Sequence, residues 1–104
     1  MLALLEVVPI GTGSASLSDR LAQVATVIDQ SGLDYRVGPM GTTVEGEWDQ
    51  IMALAKRCRD VALQSADRIM MTIQLDDRKD TPGAGRITSK VRSLEAKVGK
   101  ALKK

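Results

Sequence analysis

The stretch from Leu2 to Ile10 constrains the fold of this chain more than any other. It is apolar throughout except at Glu6, so neither of its faces suits water. Alternate residues of a strand point to opposite sides, which places Leu2, Leu4, Val8 and Ile10 in one row and Ala3, Leu5 and Val7 in the other. Such a strand belongs inside a sheet that is covered on both faces. Pro9 stands near its end, where a missing N–H is tolerable.

The remaining patterns supply the cover for one face. Leu17, Leu21, Val24 and Ile28 form one apolar stripe of a helix running from about Leu17 to Ser31. Ser16 is the expected N-cap, with Asp19 completing a variant capping box, and Gly32 is the expected stop. A short strand from Leu33 to Val37, the turn Gly38-Pro39-Met40-Gly41 and a strand from Thr42 to Glu47 read as a hairpin. A second helix over Trp48 to Gln64 turns Ile51, Leu54, Ala55, Cys58, Val61 and Ala62 inward. Its acidic start and basic later turns suit the helix dipole. From Arg68 to Asp76 the alternation is that of a strand, with Ile69, Met71, Ile73 and Leu75 on one side. The polar stretch over residues 76–87 reads as a flexible linker to a last helix, Thr88 to Leu102, with Val91, Leu94, Val98 and Leu102 on one stripe. The order β-α-β-β-α-β with an added helix is the plan of an α+β, ferredoxin-like sandwich. In that plan the first and third strands are central and both main helices lie on one face. The second face of the first strand is then left apolar, to be covered by sheet-to-sheet pairing or by the last helix, and the chain is expected to form a homo-oligomer.

Composition narrows the chemistry. The 104 residues fit one domain, and 43% of them are hydrophobic, enough for a core. There is no histidine, which removes the commonest general base and the commonest metal ligand together. A single cysteine, Cys58, permits neither an intrachain disulfide nor a Cys/His zinc site, and as a mid-helix stripe residue it reads as core. The net charge of +2 implies no polyanionic partner. Neither a secretory signal nor a membrane span is evident, so a cytoplasmic, non-catalytic protein without cofactor or metal is expected.

Two turns are candidate sites. Thr12, Gly13 and Ser16 belong to a Gly/Thr/Ser loop between a strand and a helix, where free N–H groups favour an anion or a polar ligand. A plain tight turn with a serine cap explains the same residues, and the residues alone leave both readings open. The second turn runs from Tyr35 to Trp48 and concentrates Arg36, Met40, Gly41, Thr42, Thr43 and Glu45. If Val44 faces the helices, Thr43 and Glu45 face the other side of the sheet, and the expected strand order can put Glu6 of the neighbouring strand on that side too. Carboxylates on a covered face are costly unless paired or used. A cationic or amine-bearing ligand would offset that cost, and so would pairing with Arg36 or with another chain. Trp48 can stack on a planar ring, although a packing role is the commoner one. The run Asp76 to Asp80 reads as a solvated ion-pair loop, and the lysines from Lys97 to Lys104 as a basic helix face.

The segments Pro9-Ile10-Gly11-Thr12-Gly13, Ser16-Leu17-Ser18, Gly32-Leu33-Asp34-Tyr35-Arg36 and Met40-Gly41-Thr42-Thr43-Val44-Glu45-Gly46 occur in this order, followed by Asp76-Asp77-Arg78. Together they closely resemble the small thiamine-binding-protein family. The resemblance implies a ferredoxin-like fold, dimers or tetramers formed through the sheets, and binding of thiamine or its hydroxymethylpyrimidine portion without catalytic residues. A regulatory or assembly subunit that binds another small effector between subunits is the alternative. An RNA-binding module shares the element order but would need aromatic residues on its sheet.

Overall fold

The computed structural model describes residues 1–11, 17–80 and 85–104. The elements are β1 (Leu2–Ile10), α1 (Leu17–Gln30), β2 (Asp34–Val37), β3 (Thr42–Glu45), α2 (Trp48–Ser65), β4 (Arg68–Asp76) and α3 (Arg86–Val98). The strands form one antiparallel sheet in the order β2-β3-β1-β4. This is the ferredoxin-like α+β arrangement, with β1 and β3 in the centre. The proposed cap at Ser16 lies outside the described residues.

The face turned to α1 and α2 carries Ala3, Leu5 and Val7 of β1, and these are buried. In register beside them stand Val44 of β3 and Ile69 and Met71 of β4. Val24, Val27 and Ile28 of α1 and Leu54, Cys58 and Ala62 of α2 close the core over them. Leu21, expected on the same stripe, is 41% exposed, because α1 meets the core through its later turns. Trp48, expected as a packing anchor, is 54% exposed at the start of α2. That start is fixed instead by Gln50, whose Oε1 accepts the Glu47 N–H at 2.9 Å. Tyr35 Oη donates to Asp29 Oδ1 at 2.5 Å, tying β2 to α1, and this bond holds the phenol above its usual range.

The opposite face carries Leu2, Leu4, Glu6, Val8 and Ile10, flanked by Thr43 and Glu45 on one side and Met70, Thr72, Gln74 and Asp76 on the other. Among the described residues, cover comes at its lower end, from the first turn of α3. Glu45 is just 7% exposed, and its carboxylate accepts backbone N–H bonds from Gly85 (3.1 Å), Arg86 (3.0 Å) and Ile87 (3.5 Å). A charge buried there is stabilised by the free N–H groups and positive dipole end of the helix. Gly85 takes a left-handed conformation, φ 86°, which lets three successive N–H groups converge on one carboxylate. Asp76 adds a second clasp, accepting from Arg86 Nη2 at 3.0 Å and Lys90 Nζ at 2.6 Å. Ile87 is buried beneath this clasp, whereas Val91, Leu94 and Val98 are largely open.

The bounds of α3 correct the sequence reading. It starts at Arg86 because Glu45 supplies a cap from a distant strand. It ends at Val98 because Gly99, φ 87°, turns its N–H back to the Glu95 carbonyl at 2.8 Å. Lys100, Lys103 and Lys104 therefore lie beyond the helix.

Candidate functional site

The arrangement of β1 creates the main cavity. β4 pairs with β1 along its whole length, from Leu2 to Ile10, but β3 pairs with it only from Leu2 to Leu5. Past Leu5 the chain of β3 has already turned away into Gly38–Gly41, a hairpin loop closed by Gly38 N–H donating to the Gly41 carbonyl at 2.9 Å. The space left between this turn, β1 and α1 is a cavity of about 430 Å³. That volume lies within the range of roughly 300–1,000 Å³ typical of small-molecule sites. Leu5, Val7, Val24, Ile28 and Val37 make its walls apolar, and Cys58 lies at its base.

Among the described residues, few polar ones line this space. Glu6 and Thr42 line it, and Glu6 is half-buried and makes no hydrogen bond or ion pair with any described residue. Gly41 is what brings the turn so close. A Cβ there would lie 3.0 Å from Glu6 Cγ, from Leu4 Cδ1 and from the Leu5 carbonyl oxygen. Burial pushes the Cys58 thiol above its ordinary range, so at neutral pH it is a protonated wall residue.

The residues singled out from the sequence are thus divided. Glu6, Met40, Gly41 and Thr42 meet at the cavity, with Met40 79% exposed at its rim. Thr43 and Arg36 stand side by side on the open face of the sheet, where Arg36 pairs with Asp34 at 3.3 Å. Glu45 shares that face, but its carboxylate is taken by α3, beside a separate hollow of about 330 Å³ that also involves Asp34, Glu47 and Gln50. Trp48 lines neither space. Thr12, Gly13 and Ser16 lie outside the described residues. Sequence reasoning missed the walls that α1 and Val37 contribute. The one signal for them was an apolar residue, Leu21, on a stripe with too little core to fill.

Residues 3–95 match the thiamine-binding protein family. The chain belongs to that family. Among its relatives, the UPF0045 protein of Methanothermobacter thermautotrophicus is 35% identical over 96 residues, spanning 90% of this chain and 95% of the relative. Solved structures agree with the fold. A hypothetical protein of Methanocaldococcus jannaschii superimposes with a TM-score of 0.79 at 27% identity, over 89% of this chain and 93% of its own. A Thermotoga maritima protein, provisionally assigned to thiamine biosynthesis or salvage, gives 0.74 at 28% identity over 86% and 95%. Family membership thus covers the core, the Gly38–Gly41 turn and the start of α3 alike.

Proposed function

We propose that this protein binds thiamine or its hydroxymethylpyrimidine portion without transforming it, in the cavity between β1, α1 and the Gly38–Gly41 turn. The observation that carries this reading is Glu6, a half-buried carboxylate without a partner among the described residues, at the edge of a largely apolar space. A carboxylate so placed favours a ligand that brings positive charge or amino hydrogens together with a flat apolar body. Thiamine offers both, an aminopyrimidine and a cationic ring. Thr42, opposite Leu5 on the helix-facing side of the sheet, adds a hydroxyl to the lining. Thr43, Glu45, Arg36 and Trp48 stand away from this cavity and are not needed for the first contact.

Calorimetry with thiamine and hydroxymethylpyrimidine on the wild type and Glu6→Gln tests the assignment. Loss of a charge-assisted hydrogen bond is expected to weaken binding by roughly tenfold or more. Equal affinity in the two proteins would remove Glu6 from the site.

The open face of the sheet supports an assembly of several copies. Val8 and Met70 lie adjacent and exposed across the β1–β4 ladder, and Val91, Leu94 and Val98 of α3 are exposed apolar residues as well. A second copy laid on the open face buries Val8 and Met70. Sedimentation at micromolar concentration is expected to give a dimer or tetramer, and a monomer alone would contradict this part of the reading.

A further inference from the structure

The backbone phase of β1 adds something that no side chain supplies. Met1 and Gly46 exchange hydrogen bonds, the terminal amine to the Gly46 carbonyl at 2.8 Å and Gly46 N–H to the Met1 carbonyl at 3.1 Å. In an antiparallel ladder, alternate residues bond to the same neighbour, so Ala3 and Leu5 also bond to β3, through Val44 and Thr42. The hairpin gives the same phase independently. The Gly38–Gly41 bond makes Arg36–Thr43 a hydrogen-bonded pair, which leaves the N–H and C=O of Thr42 and Val44 for β1.

Carried forward, this phase gives Glu6, Val8 and Ile10 to β4, where they stand opposite Thr72, Met70 and Arg68. Val7 therefore directs both its N–H and its C=O to the side where β3 has ended, which is the side of the cavity. Pro9 follows in the same phase and has no N–H to leave unpaired, as expected of an unpaired strand edge. No described residue takes up the main-chain groups of Val7, and Val7 is only 9% exposed. More than about 90% of buried main-chain polar groups are paired in native proteins, so a donor and acceptor left together beside a cavity call for a partner.

We propose that this free edge of β1 reads the ligand, with Val7 N–H donating to a ring nitrogen and Val7 C=O accepting from an adjacent exocyclic amine. The two groups of one extended residue lie side by side, as do the acceptor and donor on the edge of an aminopyrimidine. The second amino hydrogen is then free for the neighbouring Glu6 carboxylate. This inference rests on the ligand class and cavity proposed above, and it assigns ring recognition to the main chain of β1 in place of the threonines.

The test uses the ¹⁵N-labelled full chain titrated with 4-amino-5-hydroxymethyl-2-methylpyrimidine and with the same molecule lacking the amino group. On binding of the amino compound, the Val7 amide proton is expected to move downfield and its exchange to slow. The analogue should bind about tenfold more weakly or worse, because it leaves the Val7 carbonyl unpaired. Binding that leaves the Val7 amide unmoved, or equal affinity for the two compounds, overturns the main-chain assignment while the ligand class stands. If neither this compound nor thiamine binds at millimolar concentration, the functional reading falls and the inference with it.

Discussion

Replacing Glu45 with alanine is expected to detach the C-terminal helix while the rest of the fold stays intact. Its carboxylate is the shared acceptor for the N–H groups of Gly85, Arg86 and Ile87, and Ile87 is the buried apolar residue of α3. Charge-assisted hydrogen bonds at a helix start are worth about 2–3 kcal/mol together, so amide exchange in α3 should accelerate by roughly 30- to 150-fold. Exchange in β1 and α2 should hardly change, since their core contacts do not involve Glu45. Glu45→Gln keeps one acceptor oxygen and should fall between the two. Unchanged protection of α3 in Glu45→Ala would show that something other than this carboxylate holds the helix.

Acid should act on the same contact. The hydrogen bond from Lys90, and then the charge of Arg86, hold the Asp76 carboxyl below its ordinary value of 3.8. A carboxyl with a depressed folded pKa contributes stability that is present above the unfolded value and lost as pH falls through the folded one. The Asp76 part of the clasp is therefore complete at pH 7 and opens only below about pH 4. Release of α3 in the wild type at pH 6, with Asp76 still ionised, would contradict this account.

The second large effect is expected at Gly41. A valine there would place its Cβ 3.0 Å from the Leu5 carbonyl oxygen as well as from two side chains, and main chain yields less readily than a side-chain end. Overpacking of this kind costs about 1–3 kcal/mol, and for a domain of this size that lowers Tm by roughly 5–15 °C. The turn would have to move away from β1, widening the cavity beside Glu6, so the thiamine binding proposed above should weaken together with stability. Gly38→Ala serves as the control. Its Cβ would meet only the Gly41 carbonyl oxygen, at 3.2 Å, and a smaller loss is expected. Equal Tm for the wild type and Gly41→Val would mean that the close approach of this turn is not required.

Much of the architecture was legible in the sequence because it depends on periodicity. The alternation in Arg68–Asp76 and the stripe Ile51, Leu54, Ala55, Cys58, Ala62 of α2 each specify an element and its inward side, and the doubly apolar β1 specifies a strand inside a sheet. These patterns, in their order, determined an α+β sheet with β1 inside it. They also placed Thr43 and Glu45 on one face of β3, because side-chain parity in a strand is a local property; it is the register of β1 against β3 that adds Glu6 to that face.

Tertiary contacts decided the rest, and each case has a physical cause. Both rows of β1 are apolar, so its sequence could not say which would meet the helices; the packing of α1 and α2 on Ala3, Leu5 and Val7 settled that. Glu45 looks like a ligand group from its neighbours in sequence, yet its carboxylate serves a helix 40 residues away. Long-range capping of this kind leaves no trace in a local pattern. The cavity has the same origin. It exists because β3 is shorter than β1, a difference in pairing length that exposes one edge of Val7 and that neither strand encodes alone. By itself, then, the sequence determined which residues alternate and which are apolar. Only the folded sheet decided that Leu2 to Ile10, the doubly apolar strand, is central along one edge and partly unpaired along the other, since pairing depends on where a separate strand ends.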